Sequence, residues 1–152
     1  MARPSNLSRP IIESLYSEAL LLADEVRAVF ALGMGEVAPD ATDRLRLALS
    51  SEGLKATTRM MHVLAWLLNQ RAFFSGELSD AQLRRHGRLP NDRPSNADDL
   101  ELLENETRDL IEETIRLHRR ISRLDQAWAD EFDTQPAIHS MRERLGRAIS
   151  MH

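Results

Sequence analysis

Apolar residues recur along most of this chain at the three- and four-residue spacings of helices. Ile12, Leu15, Ala19, Leu22, Val26 and Val29 form one seam, widened by Leu20, Leu21 and Phe30. The seam predicts a helix over 9–32 that ends near Gly33 and Gly35. Ser8 is placed to cap it, and Pro10 falls in its first turn, where the missing N–H costs little. A second helix is predicted over 42–74, with Asp40 or Thr42 as its cap. Leu45, Leu49, Gly53, Ala56, Met60, Val63 and Leu67 share one face of it, and Leu54, Met61, Leu64 and Leu68 a second. From Met60 to Leu68 only His62 is polar, and a helix so apolar needs cover on nearly every side. Gly53 is expected to mark a close crossing or a bend, since glycine inside a helix otherwise costs about 1 kcal/mol.

Ser75 and Gly76 stop this helix, and residues 75–97 read as a crossover with two prolines, a short helix over 79–86 and a Ser79 cap. A segment of that size is often functional or mobile. Asn96 opens a third predicted helix over 97–130, with Leu100, Leu103, Thr107, Leu110, Thr114, Leu117, Ile121, Leu124 and Trp128 as its seam. Its regular spacing favours near-parallel packing of long helices. After DEFDTQP, residues 136–150 can form a short amphipathic helix through Ile138, Met141, Leu145 and Ile149. The expected fold is all-α: one domain over 1–152, an elongated three-helix bundle with a short C-terminal fourth helix.

Composition agrees with a helical fold. Of 152 residues only 5% are aromatic, while 29% are charged. The net charge of -4 gives no general attraction to nucleic acid or to an anionic membrane. There is no cysteine, which excludes disulfides, thiolate ligands and cysteine nucleophiles. No apolar run reaches the roughly 20 residues that span a bilayer, and the N-terminus has no apolar signal core, so a cytoplasmic location is expected.

Candidate chemistry is sparse. No Glu precedes any of the five histidines by three residues, no Gly-rich phosphate loop occurs and no strained Gly-x-Ser-x-Gly turn presents a nucleophile. A protein without catalysis, cofactor or metal is therefore expected. His62 reads as a satisfied core or interface histidine. Trp66 and Trp128 read as core or dimer anchors. Arg59 is expected to be buried against a carboxylate, supplied by Glu18 or Glu25. The sharpest charge feature is Arg116, Arg119, Arg120 and Arg123, whose spacing puts all four on one helical face. That face can dock an acidic partner or a nucleic-acid backbone. The same residues also end a predicted helix that begins acidic, an arrangement that suits the helix macrodipole without any partner. Missing aromatics and the acidic balance disfavour nucleic acid.

The second helix also carries a recognisable pattern. Glu52, Thr57, Thr58, Arg59, Met61, Trp66, Leu67, Leu68, Gln70, Arg71, Ala72, Gly76 and Glu77 resemble the signature segment of the alphaproteobacterial RcdA family, regulators of CtrA degradation. Leu15, Tyr16, Ser17, Glu18 and Ala19, followed by Glu25, resemble its N-terminal signature. The likeness covers about residues 12–78, and Gly53, Ala56 and Asn69 depart from it. It implies a homodimeric three-helix bundle acting as a non-enzymatic adaptor. Such an adaptor helps deliver cell-cycle regulators to the ClpXP protease, with response-regulator-type clients or co-adaptors as partners. A nucleic-acid-binding or purely structural dimeric helical protein is the alternative.

Overall fold

The structure is a computed structural model that describes the backbone of residues 5–36 and 42–150 and the side chains of 8–31, 42–131 and 145. Within those residues the chain is helical with no strand. The helices are α1 (Ser5–Glu36), α2 (Asp43–Phe74), α3 (Asp80–His86), α4 (Ala97–Leu102) and α5 (Asn105–Ser150). The ends of α2 follow the sequence. The Thr42 hydroxyl accepts from the Leu45 N–H at 3.2 Å, satisfying one of the free donors of the first turn. At the other end Gly76 takes φ +84, a left-handed conformation that costs a side chain energy but not glycine. The Gly76 N–H then donates to Phe73 O at 3.1 Å and the Glu77 N–H to Ala72 O at 2.9 Å, a Schellman closure.

α1 and α2 run antiparallel, with Glu13 beside Arg71 at one end and Phe30 against Gly53 at the other. α5 lies parallel to α2, since Thr114 meets Arg59 and Asp125 meets Trp66. The core between them holds Ile12, Ala19 and Val26 from α1, Ala56, Met60, Val63 and Leu67 from α2, and Ile111, Leu117 and Ile121 from α5. Trp66 and Trp128 stack within it, with ring centroids 5.7 Å apart. Both tryptophans thus serve the core of a single chain. Gly53 marks a close crossing, because a Cβ there would stand 2.5 Å from the Phe30 ring.

Three boundaries differ from expectation. α1 starts at Ser5, so Ser8 does not cap it but is buried inside it, and Pro10 sits beyond the first turn. The predicted third helix is broken between Leu102 and Asn105, where Leu103 turns extended and drops its side chain into the core. Periodicity missed the break because Leu100 and Leu103 pack on the same core from either helical or turned backbone. Arg108 makes the break tolerable. Its guanidinium donates to the carbonyls of Leu100, Glu101 and Leu103, ending α4 as a helix C-terminus requires. Finally, α5 does not stop near 130. It continues unbroken through Pro136 to Ser150, replacing the separate helix expected at 136–150. A proline inside a helix removes one backbone bond, and here the ladder on both sides carries the chain past it.

α2 also departs from the expectation that it is covered all round. Its first apolar face is in the core. On its second, Leu64 is half-buried, but Leu54, Met61 and Leu68 are 62%, 64% and 48% exposed.

Candidate functional site

Polar side chains of α2 and α5 hold the second half of the crossover, the non-helical residues 87–96, along the bundle. Arg59, 1% exposed, donates from Nε to Asp92 at 2.7 Å, from Nη1 to the Thr114 hydroxyl at 2.9 Å and from Nη2 to Arg93 O at 3.2 Å. Its carboxylate partner is therefore Asp92 of the crossover, not Glu18 or Glu25 of α1. Helical periodicity points only to carboxylates on neighbouring helices. A loop carboxylate delivered from 33 residues downstream has no periodic signature.

Glu52, about two turns earlier on the same side of α2, is fully buried and accepts from the Asn96 N–H at 3.0 Å and from Lys55 at 3.1 Å. Its Oε2 and the Ser95 hydroxyl are both buried without a well-aligned hydrogen bond. Burial opposes ionisation of this carboxyl, but the Asn96 N–H, the nearby Ser95 hydroxyl and the Lys55 ammonium outweigh it. The pKa accordingly lies below the ordinary glutamate value. From α5, Asp125 accepts from Trp66 Nε1 at 2.9 Å, from Arg88 Nε at 3.0 Å and from the Leu89 N–H at 3.2 Å. His118, 6% exposed, lies 3.2 Å from Pro90 O. The structural histidine is thus His118, while His62 is only half-buried. The crossover, read from sequence as a functional or mobile loop, is pinned at Arg88, Leu89, Pro90, Asp92, Arg93 and Asn96. A loop whose backbone polar groups find side-chain partners can lie close to a core.

The remaining signature residues are also mostly structural. The Arg71 guanidinium lies 4.3 Å from the centroid of the Tyr16 ring and donates to Glu13 at 2.9 Å. The Thr57 hydroxyl donates back to Gly53 O at 2.9 Å, Thr58 is half-buried and Gln70 is buried. Glu18 is exposed and reaches Arg120 at 2.8 Å, tying α1 to α5. Gly76 and Glu77 close α2.

The arginine face stays outside. Arg116, Arg119, Arg120 and Arg123 are all exposed on α5, but they are not equivalent. Arg120 is engaged by Glu18, and Arg123 leans on Arg119 O at 3.5 Å. The acidic half of the predicted third helix is shared between α4 and α5, and α5 runs on to Ser150, so the four arginines sit in mid-helix rather than in a last turn and the macrodipole does not account for them. Among the described residues no group of three His, Asp or Glu side chains is placed to hold a metal ion, and no helix is long and apolar enough to cross a membrane.

Fold and clamp together define an all-α helical-bundle protein whose buried polar residues fix a crossover segment. The chain belongs to the DUF1465 family, described as proteins of unknown function, whose model matches residues 4–149. No curated protein and no solved structure matches the chain.

Proposed function

We propose that this protein is a non-enzymatic adaptor in regulated proteolysis, working in the cytoplasm as a homodimer that helps deliver cell-cycle regulators to ClpXP. The observation that carries this reading is the division between inside and outside. Arg59, Glu52, Asp125 and His118 are occupied in holding the crossover, whereas large apolar and cationic side chains face outward from the long helices. That is the arrangement of a protein that works by contact. RcdA-like proteins carry this same family domain, and Glu52, Arg59 and Trp66 of the signature take part in the clamp.

The dimer is assigned to α2. Leu47, Leu54, Met61 and Leu68 are 70%, 62%, 64% and 48% exposed and recur every seven residues, the repeat of a helix seam that meets another helix. Each is followed four residues later by a smaller one, Ser51, Thr58, Ala65 and Ala72. Large against small suits two antiparallel copies related by a twofold axis, which pair the same surface with itself.

Affinity capture of the tagged protein from its native cytoplasm tests the adaptor reading. Recovery of the ClpX unfoldase together with a response regulator is the expected result. Recovery of the protein alone overturns the proteolytic role and leaves a structural dimer.

A further inference from the structure

We infer that the cleft between α1 and α5 is a docking groove for an amphipathic helix of a partner protein, one that turns an acidic flank toward α5. This inference rests on the adaptor reading and names the chemistry of the partner. Two hollows, of about 640 and 440 Å³, follow one another along this cleft. Their walls run from Leu22, Glu25 and Glu113 at one end to Pro10 and Ala127 at the other. Along α5 that is about 20 Å, or four turns of a docked helix.

The floor is apolar. Leu15, Leu22 and Leu117 are buried beneath it, while Ile11 and Leu21 stand 46% and 70% exposed at its edge. The rims differ in charge. Arg116, Arg120 and Arg123 line the α5 side together with one carboxylate, Glu113 at its far end, and Glu18 and Glu25 line the α1 side. The larger hollow contains two of these arginines and no carboxylate. Glu18 neutralises Arg120 alone, so Arg116 and Arg123 remain the cations a bound helix meets. Arg119 stands on the same ridge but lines neither hollow. An apolar floor with a basic wall fits the apolar stripe of a helix flanked by Asp or Glu. A nucleic-acid backbone, by contrast, gains nothing from the leucines and meets Glu18 and Glu25 across the cleft.

The absence of cysteine in the chain allows a direct test. Ser14→Cys places a single environment-sensitive fluorophore in the larger hollow, and Ala81→Cys places it on the exposed side of α3 as a control. The probes are two synthetic helical peptides of about four turns with the same leucine stripe, one flanked by Glu and the other by Lys, and a mixed-sequence DNA duplex. The Glu peptide is expected to change the signal at position 14 and not at 81, binding at least about tenfold more tightly than the Lys peptide. Arg116→Glu with Arg123→Glu reverses that preference, and Leu21→Asp weakens both peptides with helical circular dichroism unchanged. Equal binding of both peptides, no binding of either, or saturation of position 14 by DNA overturns the inference. A delivery activity that survives the loss of this cleft leaves the adaptor reading intact, so the two can fail separately.

Discussion

Glu52 and Gly53 are neighbours in sequence, yet they stabilise the fold by different means. Glu52 is a fully buried carboxylate sustained by the Asn96 N–H and Lys55. Because its folded-state pKa is depressed, its contribution is complete above the ordinary value of 4.5 and is lost as pH falls through the folded value. Glu52→Gln should therefore lower stability by about 1–3 kcal/mol at neutral pH. In urea titrations across pH, the gap between variant and parent should narrow below pH 4.5; a gap that stays constant into acid would contradict this role. Gly53 contributes space. Gly53→Ala gains about 1 kcal/mol of helix propensity but drives a methyl group into the Phe30 ring, and overpacking of this kind costs about 1–3 kcal/mol. Net destabilisation is expected, and it should vanish or change sign in a Phe30→Leu background, a coupling that a double-mutant cycle measures. The glycine's role was half legible, since an interior helix glycine already points to a crossing. The buried Glu52 was not, because the backbone N–H it accepts from, that of Asn96, lies 44 residues away in a segment without periodicity.

At the scale of elements, the clamp makes the crossover part of the fold. Arg59→Met removes three hydrogen bonds at once and leaves Asp92 and Thr114 without their cation, a loss of about 3 kcal/mol or more. Hydrogen exchange of the amides from Arg88 to Asn96 should accelerate well before that of α1 or α5. Unchanged exchange in the crossover would mean that packing, not Arg59, holds it. The long helices were readable because each buries one stripe at a regular period. The break at Leu103 was not, because a turned leucine fills the core as well as a helical one, and the evidence for the turn is a guanidinium arriving from Arg108. The passage of α5 through Pro136 went unread for the converse reason. A local breaker signal was outweighed by the helix on both sides.

At the scale of the whole molecule, exposed leucines on α2 and arginines on α5 are outputs of the same fold. The arginine ridge was legible as a spacing, but its division was not. Only the approach of α1 shows that Arg120 is held by Glu18, while Arg116 and Arg123 make no ion pair among the described residues and line the proposed groove. If α2 forms the dimer, Leu54→Asp with Met61→Asp should give a monomer by light scattering, with the helical circular dichroism of the parent. A variant that stays dimeric would place the interface elsewhere. The adaptor reading itself is tested most directly by reconstituted degradation, with purified ClpXP, ATP and a response-regulator client such as CtrA, in the presence and absence of this protein. The protein is expected to accelerate loss of the client several-fold, and the monomeric α2 variant to do so less. A degradation rate that does not change, even with the protein in molar excess over client, would contradict the adaptor reading.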